Sequence, residues 1–124
     1  MPQIFSVFQI VIDKDLSDLI NKEGHNCHVK SKARMEAMLD GDVRLGVMHD
    51  CYTKVAEVVA DDLEHVFEVG NIGPEDRITR LEKMTSISVG DIIADADGVC
   101  SVVNNVGFTP LAPSFHKMVL KEAA

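Results

Sequence analysis

At 124 residues and 46% hydrophobic composition, the chain is sized for one domain that closes a single core without staples. Its formal charge of −8 and pI near 4.9 disfavour a phosphate-tracking surface, because nucleic-acid affinity rests on Lys and Arg displacing condensed counterions. Apolar runs such as Ile10 to Ile12 fall far short of the roughly 20 residues of a membrane helix, so neither nucleic acid nor membrane is an expected partner.

Cys27, Cys51 and Cys100 show no close-spaced framework and no secretory signal precedes them, which predicts reduced thiols, no disulfide and a cytoplasmic protein. The charge is uneven. Residues 1–50 hold six Lys and Arg against eight Asp and Glu, whereas 51–124 hold six against twelve, so the acidic surface belongs to the second half.

Ile4 to Ile12 is dense in β-branched and aromatic residues, interrupted only by Ser6 and Gln9, and reads as a central strand covered on both faces. Asp13 then stands where a helix N-cap belongs. Leu16, Leu19 and Ile20 repeat at helical spacing, and Gly24 supplies the stop. A second helix is predicted from Val29 to Leu39, with Met35, Met38 and Leu39 on one face, ending near Asp40-Gly41. Residues 41–50 are open between a loop and a weak strand at Val43 to Met48. Tyr52 to Ala60 returns to strand composition, and Asp61-Asp62 caps a helix through Leu63, Val66 and Phe67, closed by Gly70-Asn71. Residues 71–83 read as a surface connection with one helical turn at Glu75 to Leu81.

The hairpin follows. Ile87, Val89, Ile92 and Ile93 form one arm, Asp95-Ala96-Asp97-Gly98 the turn, and Val99, Val102 and Val103 the return, with a last strand through Gly107 and Phe108. Gly98 supplies positive φ, Gly107 permits a bend or close approach, and Phe108 is the expected anchor under the sheet. Pro110 and Pro113 then break the sheet, and Ser114 is placed to cap a terminal helix. The whole predicts one α+β domain over residues 1–124, a mixed or antiparallel sheet with two to four helices in the order β-α-α-β-α-β-β-β-(α).

Four constellations could carry chemistry. His25-Asn26-Cys27-His28 and His49-Asp50-Cys51 bring thiols and imidazoles into one region, and a zinc ion would use Cys27, His28, His49 and Cys51. Neither cluster has a C-x₂-C knuckle, so the expectation is no metal and no cofactor. Asp91, Asp95, Asp97 and Gly98 imitate a calcium loop, but Ile93 and Val103 occupy its first and last ligand positions. Cys51 has His49 two residues away, yet no third group orients the imidazole; Ser86, Ser88 and Ser101 lack a nucleophile elbow, and Gly70 to Gly73 is no phosphate loop. No residue reads as catalytic. The acids Asp61, Asp62, Glu64, Glu68, Asp95 and Asp97 remain, as candidates to meet a basic surface on a host protein.

Ser86-Ile87-Ser88-Val89-Gly90-Asp91-Ile92-Ile93, followed by Gly98 and by Val106-Gly107-Phe108, resembles the YodL-like domain, with its Ser-x-Ser-Val-x-Asp-hydrophobic stretch and terminal Gly-Phe segment. The strand and helix from Tyr52 to Asn71 are similar to those of small bacteriophage-encoded proteins, so the resemblance covers residues 52–111. It implies a phage or mobile-element setting in a host cytoplasm, an accessory rather than catalytic role, and no cofactor. Ser88, Asp91, Gly107 and Phe108 match the motif; Ser88 and Asp91 are expected to hydrogen-bond locally and fix the start of the strand. Three functions follow as expectations: a non-enzymatic protein binding a host protein through an acidic face or sheet edge, a virion or assembly component acting as a homo-oligomer, and a small zinc protein.

Overall fold

The computed structural model describes residues 2–24, 27–104 and 107–120. The element order is β1 (Gln3–Ile10), α1 (Lys14–Glu23), α2 (Val29–Asp40), α3 (Arg44–Met48), β2 (Tyr52–Ala60), α4 (Leu63–Ile72), a 3₁₀ turn (Glu75–Arg77), β3 (Ile78–Arg80), β4 (Ile92–Ala94), β5 (Cys100–Val103), β6 (Phe108–Pro110) and α5 (Pro113–Leu120). The strands form one six-stranded sheet, ordered β3-β2-β1-β4-β5-β6, in which each pair is antiparallel. This is the α+β domain the sequence predicts.

β1 is central because its side chains alternate between two apolar layers. Phe5 and Val7 enter one cluster with Val58, Val66, Val69 and Ile93, under α4. Phe8 and Ile10 enter the other with Ala33, Ala37, Val47, Ile92 and Val102, under α2, α3 and α5. Each fully buried aliphatic side chain here is worth roughly 1.5–3 kcal/mol. A β-bulge lets β2 serve both layers. Its register against β1 skips Val55, so Val7 faces Ala56 while Phe8 faces Lys54. Val55, Ala56 and Val58 therefore pack under α4, while Tyr52 packs in the opposite layer.

Helix ends follow local chemistry. Asp13 accepts from the Leu16 amide at the start of α1, and Gly41, in the left-handed region, ends α2. Several expectations need correction. Residues 44–48 are neither loop nor strand but helix α3, a fifth helix, held because Val43 and Val47 stand one turn apart and both reach the core. α4 runs to Ile72 and closes on Gly73, passing Gly70 where the Ile87 side chain lies against the glycine. The connection at 71–83 contains β3, which pairs with Ala56 to Val58. Ile87 and Val89 are not strand, Val99 is exposed, and β4 is only Ile92–Ala94. Phe108, half-buried on edge strand β6, packs against the cluster under α4 as an anchor, and Pro113 opens α5, so Ser114 lies inside its first turn.

Candidate functional site

The motif Ser88-Val89-Gly90-Asp91 is a tight turn entering β4. The Asp91 amide donates to the Ser88 carbonyl at 3.1 Å, with Gly90 at φ +92° in the third position, where a type II turn requires positive φ. The Asp91 carboxylate returns the favour: its Oδ2 accepts from the Ser88 amide at 3.0 Å. The same oxygen accepts from Gln9 Nε2 at 3.0 Å, 82 residues away in the chain. Gln9, only 4% exposed on β1, also bonds both backbone groups of Thr85, Nε2 donating to the carbonyl and Oε1 accepting from the amide. The Gly90 carbonyl accepts from the buried Tyr52 hydroxyl at 2.5 Å, and the Gly90 amide donates to Val103. On its other side Gly90 lies against the backbone of Ala37 in α2. One turn thus ties together β1, β2, β5 and α2.

Burial pushes the Asp91 carboxyl up to about 6, although the Ser88 amide, the Gln9 amide group and the nearby Arg34 charge each pull it back. In the unfolded chain the group keeps its ordinary value of 3.8. The folded state therefore holds this proton more tightly, so Asp91 adds stability fully below pH 4 and loses it as pH rises through 6. A shift of this size corresponds to about 3 kcal/mol between the two ends. Burial and the neighbouring Asp91 charge also raise the Tyr52 hydroxyl, which stays protonated as a donor.

The hollow bounded by Gln9, Arg34, Thr85, Ser88 and Asp91 measures about 10 Å³, room for roughly one water molecule. Every oxygen and nitrogen of the Gln9 side chain and the inner carboxylate oxygen are occupied by internal bonds. The arrangement fixes backbone.

The other predicted residues scatter. His28 caps α2, its Nδ1 accepting from the Lys30 amide; His49 is exposed beyond α3; Cys51 is buried with its Sγ 3.8 Å from the His49 carbonyl oxygen. Burial raises the Cys51 thiol, away from the thiolate that zinc binding or nucleophilic attack needs. Cys27 is half-buried, and among the described residues no three His, Cys, Asp or Glu side chains gather around a point that could hold a metal. His25 and Asn26 lie outside the described residues, as does Val106.

The acids fall differently. Gln3 pairs with Ala60 and Ser6 with Ala94, so β2 and β4 both end beside the start of β1. Asp61-Asp62 and the Asp95–Gly98 turn consequently leave toward the same end of the sheet, two strand spacings or about 10 Å apart across it and staggered by about 10 Å along it. Asp62 caps α4 by accepting from the His65 amide, and Asp95 closes its turn by accepting from the Asp97 and Val99 amides. Asp61, exposed, stands 3.6 Å from His65, and Asp97 is exposed at the tip. Glu64 sits in the first turn of α4 with Glu68 one turn on, both exposed. Gly98 and Gly107 are both in positive φ, at the two loops that flank β5.

These features define an α+β domain in which Asp91 serves the backbone and two acidic loops leave the sheet toward one end. No family model, curated protein or solved structure matches the chain.

Proposed function

We propose that the chain is a non-enzymatic accessory protein, of the phage or mobile-element kind its motif implies, that binds a basic host protein through the acidic end of its sheet. The observation that carries this reading is the strand register, which brings two acidic loops 34 residues apart in sequence to one end. A sheet edge is the weaker choice of surface: β3 and β6 are three residues each, and β6 ends in Pro110, the short and blunted edges that resist strand addition. An acidic end of this kind acts mainly by steering encounter, so its effect falls with salt.

The test reverses Asp61 and Asp97, whose carboxylates cap no backbone group. A pull-down from host lysate should give one stoichiometric, salt-sensitive partner for the wild type. Asp61→Lys/Asp97→Lys should lower the association rate for that partner by about tenfold while leaving the unfolding midpoint unchanged. A partner held equally by the reversed variant, or no partner at all, contradicts the reading.

A further inference from the structure

At the other end of the sheet the molecule leaves an apolar face unfilled. α1 is capped at both ends and amphipathic, yet none of its residues is buried. Between it and α2 runs an open groove of about 320 Å³ whose apolar walls are Ile12, Ile20, Met35 and Met38. At its rim Met38 is 43% exposed and Leu39, one position on, 69%. A helix this short gains little from intrinsic propensity and is held in proteins by packing its apolar stripe, so α1 is under-packed in the isolated chain.

Charge says what can cover this face. Residues 14–40 carry five Lys and Arg against five Asp and Glu, a net of zero, so the whole −8 of the chain lies elsewhere. α1 has one more acid than base, and α2, through Lys30, Lys32 and Arg34, one more base than acid. Two copies of a strongly acidic chain repel through most of their surfaces. Across this face they meet without net repulsion, and a two-fold arrangement that lays α1 of one copy on α2 of the other sets opposite charges together. Arg34, on the groove wall and in no salt bridge among the described residues, then faces the acidic helix.

We propose that the α1–α2 face is a homodimer interface, its groove filled by the apolar side chains of a second copy around Met38 and Leu39. The inference is independent of the acidic end, which lies at the opposite end of β1 and stays open on both copies. Helices of ten and twelve residues are about 15–18 Å long, giving a patch of roughly 350 Å² per copy and about 700 Å² in all. That is below the roughly 1,200 Å² of a standard specific interface, so the dimer is a weak one.

Sedimentation velocity of the full chain from 5 to 500 µM tests this. The wild type should move from monomer to dimer across the range, and Leu39→Asp should weaken the dimer at least tenfold. Because Leu39 is exposed, that variant should keep the wild-type far-UV spectrum and denaturant midpoint. Ile4→Asp, a change at an exposed apolar position on the acidic end, should dimerise like the wild type. A chain monomeric at every concentration, a dimer unaffected by Leu39→Asp, or a dimer lost in Ile4→Asp overturns the proposal. A groove meant for a different protein or a small amphipathic ligand would give the first of these results.

Discussion

Gly90→Ala is expected to destabilise the fold by about 3 kcal/mol or more, the sum of a left-handed backbone imposed on alanine and an overpacked contact. A Cβ built on Gly90 would stand 2.7 Å from both the carbonyl carbon and the Cβ of Ala37, and 2.9 Å from its oxygen. Those atoms belong to the backbone and stem of α2 and cannot swing aside as a flexible side chain would. Relief by moving the turn would break the Tyr52 bond to the Gly90 carbonyl. Against a total stability of about 5–15 kcal/mol, the change should lower the thermal midpoint by roughly 10 °C. Gly24→Ala is the control. Gly24 has φ +90° but nothing within 4 Å of its Cβ position, so it should cost only the backbone strain, about 1–3 kcal/mol. Equal midpoints for the two variants would show that the turn does not press on α2.

The second large effect is expected from Gln9→Leu, which keeps the volume and removes the polar groups. Thr85 then loses two partners and Asp91 the amide that holds its buried oxygen, at a cost of about 2–3 kcal/mol at pH 7. The cost should shrink toward pH 5. The Gln9 amide favours ionised Asp91, so its loss pushes the carboxyl further up and penalises the charged state that prevails at neutral pH. Denaturant titrations at the two pH values read the difference directly. A penalty equal at both would mean that Gln9 supports Thr85 alone.

How much of this was readable depends on whether each contact is local. β1 and β2 announce themselves through unbroken β-branched runs, and α1 and α2 through Asp13, Gly24 and Gly41, because strand composition and caps act within a few residues. α3 is hidden by Gly46, a poor helix former. The glycine is there because a Cβ would stand 2.7 Å from the Tyr52 ring, a tertiary reason with no local trace. β3 is three residues in a charged stretch and exists because β2 offers it a ladder. Ile87 misled for another reason: it is 2% exposed, so it looks like strand, but it sits in irregular backbone whose amide and carbonyl are both held by the Asn71 side chain. The Gln9–Asp91 bond joins residues 82 apart in the chain and has no local trace. Its one signal was a glutamine inside an otherwise apolar central strand, a polar group that must find a partner when buried.

Asp91 resembles a catalytic acid in being buried and raised, yet its neighbours are amides that hold it in place. Asp61 and Asp97 stand exposed at one end of the sheet, and the α1–α2 stretch carries no net charge. The turn at Gly90-Asp91 is the internal fastening between these two ends.

The most direct test of that fastening is stability as a function of pH for the wild type and Asp91→Asn, whose amide oxygen can still accept from Ser88 and Gln9. If Asp91 is the buried group described, wild-type stability rises relative to the variant by about 2–3 kcal/mol as pH falls from 7 to 4, setting in near pH 6 and half complete at about pH 5. Parallel curves for the two proteins would contradict it, since they would place the carboxylate in water and leave the turn without its central contact.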